Sequence, residues 1–419
     1  MKPKLLNVSI DGLSIFEENR FEFDFLTSQR VFEKEREKHV VESVYKNTYK
    51  QNVVAVAGIN ASGKTTTLKL LKFILDVFVL DKGLNYDKSY YDLFHGKTVI
   101  EMVFWTGDCV HYASSEMVKN SAMGGRTHLE FLNERLSTVK TTYLSKKSDF
   151  IAESTDRTGE QTERADILKT TAGKFLKTDQ SIIPSLIRKE GETLIEGYVE
   201  DTLSATNRME VDFSKIDLNV VKYLDEGIEK LEIAREQSHY DEESKRNISL
   251  TYRIKFKNQP ERLVNEGELR SLLSSGTLKG MYLFNKISNV LSCGGYLLVD
   301  EIENHFNKII VQNVISFFCS KVNVNNATLV FTTHYSELLD VVERKDAIKV
   351  LKKQDGLISL KGLNVLAEPE GKNRSAYKNS DLILSGVFGT SPSYEAYWGV
   401  FKDLQKKASQ AESKGEPHE

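Results

Sequence analysis

Val53-Val54-Ala55-Val56-Ala57-Gly58-Ile59-Asn60-Ala61-Ser62-Gly63-Lys64-Thr65-Thr66-Thr67-Leu68 passes from an apolar β-type run, through a glycine turn, into an amphipathic segment. Gly58, Gly63, Lys64 and Thr65 fit the spacing G-x-x-x-x-G-K-[ST], and each position has a physical task. The two glycines let the backbone turn with its N–H groups inward as an anion nest, to which a helix N-terminus adds positive field. Asn60, Ala61, Ser62 and Thr66 complete the expected cradle, Lys64 is expected to reach the β- and γ-phosphates, and the Thr65 hydroxyl to ligate Mg²⁺. Leu68, Leu71, Lys72 and Leu75 follow at helical spacing, so the loop sits between a strand and a helix. The stretch is expected to bind ATP with Mg²⁺.

Such a loop needs a second strand carrying a metal-side carboxylate. Gly295-Tyr296-Leu297-Leu298-Val299-Asp300-Glu301 supplies one, an uninterrupted apolar strand ending in two acids. Asp300 is expected to hold the Mg²⁺ shell and Glu301 to polarise the attacking water. A third apolar strand, Ala327 to Thr333, ends at His334, which is placed to contact the γ-phosphate and the water held by Glu301. Upstream, Leu272-Leu273-Ser274-Ser275-Gly276-Thr277 precedes a helix from Leu278 to about Val290. Its hydroxyls can cap that helix.

A chain of 419 residues is long enough for one large or two ordinary domains. With 57 basic against 60 acidic side chains the net charge is -3, so nucleic acid stays possible but is not indicated by charge. Cys109, Cys293 and Cys319 lie far apart without a C-x-x-C pair, which argues against a disulfide framework or zinc site and fits a cytoplasmic protein. No signal pattern is read, and the run Leu68 to Leu80 is too short to span a bilayer and is interrupted by Lys69, Lys72 and Asp76.

Residues 4–13 and 20–31 alternate apolar with polar and predict two strands of a half-exposed antiparallel sheet, with Phe21, Phe23 and Phe25 on one core-facing side. The charged run Glu33 to Lys50 reads as a solvated helix or loop. Thr98 to Trp105 and Cys109 to Ala113 flank Thr-Gly-Asp, a hairpin signal, and Leu129 to Leu144 suggests short strands. A polar stretch from Asp149 to Arg164 predicts a mobile loop, Ala165 to Lys177 and Val220 to Glu236 predict helices, and Ile248 to Phe256 a strand.

The four ordered motifs resemble the ATP-binding-cassette heads of the structural-maintenance-of-chromosomes type. They resemble more closely the stand-alone AAA-annotated ATPases of bacterial abortive-infection and other anti-phage systems. Gly58 to Thr65, Ser274 to Thr277, Asp300-Glu-Ile-Glu-Asn304 and Leu384 to Pro392 carry that likeness. The resemblance implies that Ser274, Ser275 and Gly276 take the place of the Leu-Ser-Gly-Gly-Gln motif and face a phosphate. Asn307-Lys308 stands where these relatives carry His-Pro, and the glutamine they place between loop and serine motif is matched by position only at Gln161 and Gln180, neither of which is assigned.

The resemblance implies an α/β P-loop fold. Its ATPase head comprises residues 1–84 and 265–400, with a β-rich and helical insert lobe at 85–264 and a charged tail at 401–419. The loop strand and the Asp300 strand are expected as neighbours in one sheet. It implies an ATP-hydrolysing switch, a homodimer or higher homo-oligomer with two shared ATP sites, controlling a toxic effector or sensor encoded nearby in anti-phage defence, without a membrane. The alternative is a DNA-repair or recombination ATPase that clamps duplex DNA. A transporter motor is disfavoured by the long β-rich insert and Thr277, and a GTPase by the missing base-reading aspartate after Asn285-Lys286.

Overall fold

The computed structural model describes residues 2–121, 127–151, 159–188, 197–203, 211–240, 246–304, 306–369, 377–384 and 394–412. Its strands are β1 (Lys4–Asp11), β2 (Arg20–Asp24), β3 (Val41–Tyr45), β4 (Thr48–Gln51), β5 (Val53–Gly58), β6 (Lys97–Trp105), β7 (Cys109–Ser121), β8 (Thr127–Lys140) and β9 (Glu160–Glu163). They continue with β10 (Val199–Asp201), β11 (Ile228–Tyr240), β12 (Arg246–Phe256), β13 (Arg262–Asn265), β14 (Tyr296–Val299), β15 (Thr328–Thr333), β16 (Ile348–Gln354) and β17 (Leu357–Gly362).

The site is carried by a sheet of order β10-β14-β15-β5-β16-β17, parallel except for the returning edge strand β17. Its central strands read as continuous apolar runs because both faces are covered. On one face Val54, Val56, Leu298 and Val330 pack with Leu68, Leu71 and Leu75 of the loop helix (Lys64–Phe78). On the other, Ala55, Leu297, Leu329 and Phe331 meet Leu283, Ile287 and Val290 of the serine helix (Ser275–Cys293) and Val311, Ile315 and Phe318 of the helix Lys308–Phe318. Alternate residues of each strand thus serve two cores.

A second, antiparallel sheet has the order β2-β1-β6-β7-β8-β9 and lies over the loop helix side. Phe21, Phe23 and Phe25 are buried there as expected, and Phe25 meets Tyr296 of the parallel sheet edge-on at 6.1 Å. β1 is not half-exposed, since Lys4 to Ile10 are all buried.

Several expectations are corrected. The pairing of β1 with β6 runs across the expected boundary at 84/85, and β10, from the expected insert, pairs parallel with β14. The loop strand β5 and the Asp300 strand β14 share a sheet but are not neighbours: β15 pairs with both. Glu33 to Lys50 is a short helix (Glu33–Glu37) and the hairpin β3–β4, in which Lys50 is fully buried. Val220 to Glu236 is a helix only over Leu218–Leu224, and the rest belongs to β11. Ile228 and Leu231 are three residues apart yet both buried, because the register shifts between Ile228 and Lys230, and that irregularity imitates helical spacing. Leu129 to Lys140 belongs to one long strand, β8, rather than several, and Thr141–Tyr143 is a 3₁₀ turn. Ala165 to Lys177 is helical only over Arg164–Lys169 and a short 3₁₀ turn at Gly173–Phe175. The expected tail at 401 begins inside a helix, Tyr394–Glu412. Most of Leu384 to Pro392, and residues 152–158 of the expected mobile loop, lie outside the described residues.

Lys72 and Asp76, read in the sequence as interruptions of an apolar run, form a buried pair. Asp76 accepts from Lys72 Nζ at 2.6 Å, from Lys82 Nζ at 2.8 Å and from the Tyr90 hydroxyl at 2.6 Å. Burial pushes the Asp76 carboxyl up, but Lys72 above all, with Lys82 and Tyr90, holds it below the usual aspartate range. Its stabilisation is therefore present at neutral pH and lost as the pH falls through that depressed value. Asp76→Ala takes from Lys72 its closest acidic partner and leaves Asp201 at 3.8 Å, and the expected loss is about 3–5 kcal/mol in a urea unfolding curve at pH 7. A loss within ~0.5 kcal/mol of zero, as for a surface substitution, would contradict a buried pair.

Candidate nucleotide site

The loop between β5 and its helix is shaped by two glycines and one left-handed alanine. A Cβ on Gly58 would lie 2.5 Å from Ser62 Oγ and 2.8 Å from the Leu351 carbonyl oxygen. Gly63 has φ of +100° and its Cβ would strike Ile358 at 2.6 Å, while Ala61 sits at φ +60°. Only a residue without a side chain fits at the two ends of this turn.

Lys64 folds over its own loop. Its Nζ donates to the carbonyls of Gly58 and Ile59, each at 2.9 Å, and lies 3.4 Å from His334 Nδ1. Burial pushes its amine down, against the opposing pull of Glu301, Asp300 and Glu303. Thr65 Oγ1 donates to Asp300 Oδ2 at 2.7 Å. The other carboxylate oxygen of Asp300 accepts from Thr332 Oγ1 at 2.7 Å, and that hydroxyl in turn accepts the Glu301 N–H at 2.7 Å.

Glu301 has φ of +46°, a conformation uncommon for a non-glycine residue. Its carboxylate lies 3.2 Å from His334 Nε2 and accepts from Asn304 Nδ2, while the His334 N–H donates to Glu303. Burial pushes the Glu301 carboxyl up, but Asn304, His334 and the charge of Lys64 outweigh it and hold it below the usual glutamate range. It is a carboxylate at neutral pH. Because β15 lies between β5 and β14, His334 at its tip falls between Lys64 and Glu301.

A cleft of about 500 Å³ is lined by Asn60, Ala61, Gly63, Lys64, Thr65, Thr66, Glu301 and His334, all expected from sequence. It is also lined by Ile15, Lys353, Gly356 and Ile358, which sequence reasoning missed. These arrive by tertiary pairing, the Ile358 N–H donating to the Ile15 carbonyl at 2.8 Å, and carry no motif of their own. Thr332 was readable as part of the strand tip; Thr202, whose Oγ1 accepts the Asp300 N–H at 3.0 Å, was not.

Ser62 is buried behind the loop with its Oγ unpartnered among the described residues. Ser274 caps the serine helix, its Oγ accepting the Thr277 N–H at 3.0 Å, with Ser275 and Gly276 in the first turn. None of these three lines the cleft of its own chain. Gln161 lies on β9 and Gln180 beside Asp81, and neither lines the cleft. Asn307 caps the helix Lys308–Phe318 through the Ile309 N–H at 2.8 Å, so that helix starts without His-Pro.

The donor set fits the group the motif implies. Thr65 and Asp300 present hard oxygens side by side, the kind Mg²⁺ takes, and the loop that opens the loop helix lines the cleft with Asn60, Ala61, Gly63 and Lys64 and puts no side-chain cap on that helix. Away from this pairing, no cluster of three or more His, Cys, Asp or Glu able to hold a metal is found among the described residues, nor a helix long and apolar enough to cross a membrane.

No protein-family model and no curated protein matches the sequence. Solved structures that align with it include an SMC head domain from Thermotoga maritima, at 13% identity and TM-score 0.38, covering 86% of this chain and 99% of that one. An SMC head bound to the C-winged helix domain of ScpA aligns at 11% identity and TM-score 0.41, covering 87% and 99%. An SMC head with a coiled coil and joint derived from Pyrococcus yayanosii aligns at 9% identity and TM-score 0.40, covering 88% and 100%. Likeness at this level carries no chemistry across, and the site is read from this chain's own side chains.

Proposed function

We propose that this chain binds ATP with Mg²⁺ and hydrolyses it, and that two copies close over two ATP molecules. The observation that carries the reading is that Thr65, hydrogen-bonded to Asp300, lines the same cleft as the line Lys64–His334–Glu301. The loop N–H groups and Lys64 hold the phosphates, Lys64 leaving the two carbonyls that it now satisfies. Thr65 and Asp300 hold the metal, with Thr332 fixing the second oxygen of Asp300. Mg²⁺ would supply neutralisation of charge on the phosphate oxygens. Glu301 takes a proton from the attacking water, and His334 steadies its carboxylate and reads the outermost phosphate.

Ser274 lines no part of its own cleft, and a Cβ on the neighbouring Gly276 would meet nothing nearer than Ser274 Oγ at 3.7 Å. A helix N-terminus open in this way suits a phosphate held by a second copy. Control of another protein, the effector or sensor implied by the motifs, belongs to the same proposal. Its support on this chain is the helix Tyr394–Glu412, where Tyr397, Val400, Phe401 and Leu404 are each exposed.

The test is phosphate release from purified protein. The expected result is steady hydrolysis of ATP that needs Mg²⁺, with a loss of at least about 100-fold in Lys64→Ala. Equal rates in the two proteins would place any activity elsewhere. Salt-dependent DNA binding by the isolated protein would favour the DNA-clamping ATPase instead.

A further inference from the structure

β10 is only three residues long, yet Glu200, Asp201 and the following Thr202 each reach a different element around the site. The carbonyl of its neighbour Tyr198 accepts the Tyr296 N–H at 2.7 Å, and β10 then runs parallel to β14 in the register Val199–Tyr296, Glu200–Leu297, Asp201–Leu298. The fit is close: a Cβ on Gly295 would lie 2.0 Å from the Tyr198 carbonyl oxygen.

Thr202 continues the strand, its N–H donating to the Leu298 carbonyl at 3.0 Å. Its hydroxyl accepts the N–H of Asp300 at 3.0 Å, just beyond the end of β14. The backbone of the metal-side carboxylate is thus held by a side chain from the neighbouring strand, while its two oxygens are held by Thr65 and Thr332. Asp201 lies 3.8 Å from Lys72 Nζ of the loop helix.

Glu200 points to the other face. One of its oxygens accepts from Lys286 Nζ at 2.5 Å and the other from Asn289 Nδ2 at 3.0 Å, so both are engaged by the C-terminal half of the serine helix. Both charged side chains are only 17% exposed, which sets this pair apart from ordinary surface pairs. Gly197 fits the same contact: its φ is +84° and a Cβ there would lie 2.8 Å from Asn289 Cβ. The serine helix is a single rod of 19 residues from Ser275 to Cys293, so fixing Lys286 and Asn289 fixes the end that Ser274 caps.

We infer that β10 is the strand through which the Asp300 end of the site and the serine helix move as one unit, with Thr202 as a positioning residue for Asp300 and Glu200 as the tie to the helix. Any shift of Asp300 along β14 is passed through the Thr202 hydroxyl and two residues of strand to Lys286. The same path runs backward, as coupling between two sites must. This inference rests on the function proposed above for what it says about Mg²⁺, but not for the mechanical link, which exists without nucleotide.

The experiment uses the full chain and two substitutions, Thr202→Val, which keeps the shape and loses the acceptor, and Glu200→Ala. Thr202→Ser is the conservative control. Amide hydrogen exchange is followed without nucleotide in peptides covering Asp300 and covering 275–293. Each substitution is expected to speed exchange in both peptides by roughly 10-fold, with Thr202→Ser close to wild type. In the second arm, the Mg²⁺ concentration for half-maximal hydrolysis is expected to rise roughly 10-fold or more in Thr202→Val, with binding of metal-free ATP unchanged.

If each substitution disturbs only its own peptide, β10 couples nothing and the inference is overturned. A wild-type Mg²⁺ response in Thr202→Val likewise removes Thr202 as a positioning residue. Should wild-type protein fail to hydrolyse ATP, the proposed function falls, and the exchange arm still decides the link. If Thr202→Val fails to fold, Thr202→Ala and Glu200→Ala carry the same comparison.

Discussion

Glu301→Gln is expected to bind ATP as wild type does and to hydrolyse it slower by a factor of about 10² to 10⁴, the range attributable to a general base. The substitution keeps size and hydrogen-bonding reach, so Asn304 and His334 retain a partner, but it removes the charge that accepts a proton. The phosphate cradle from Gly58 to Thr66 is untouched. Nucleotide binding by fluorescence titration and phosphate release on the same preparation separate the two effects. Hydrolysis at the wild-type rate would show that Glu301 is not the base, and loss of binding would show that its carboxylate serves the ground state instead.

Lys64→Ala and Ser274→Arg are each expected to abolish activity, and mixed together to recover part of it. The first destroys the loop but leaves a serine motif to offer; the second keeps its loop, and its bulk blocks the surface that Ser274 presents. After random exchange about half the dimers contain one of each, and each of those has one whole site and one doubly broken site. About a quarter of wild-type activity therefore returns if the sites act independently. Recovery above both parents supports a site shared between chains. No recovery, with exchange demonstrated by labelled subunits, counts against two independent shared sites.

What was legible in the sequence is local. The glycine loop, the acid-tipped strand and the histidine-tipped strand each announce themselves within about ten residues, because strand, turn and ligand group are contiguous there. The order of those strands was not legible: nothing in Val53–Ala57 or Tyr296–Val299 says that β15 stands between them. That order is what puts His334 between Lys64 and Glu301. Thr202 and Glu200 stayed hidden for a related reason, since β10 is three residues long and gains meaning only from its pairing with β14. The pairing of Lys72 with Asp76 was not legible either, because a buried pair looks in sequence like two breaks in an apolar face. The helix expected over Val220 to Glu236 stops at Leu224, and beyond it a shift of register gives β11 buried residues, Ile228 and Leu231, at the spacing of a helix.

The central claim is that one chain supplies the loop, the acids and the histidine while a second supplies the serine helix. Its most direct test is the mass in solution of Glu301→Gln protein, by light scattering, with Mg²⁺ and with or without ATP. Hydrolysis being blocked, ATP is expected to hold two chains together, doubling the mass found without it, and Ser274→Arg added to the same chain is expected to abolish that doubling. A chain saturated with Mg²⁺ and ATP that remains a monomer would contradict the account.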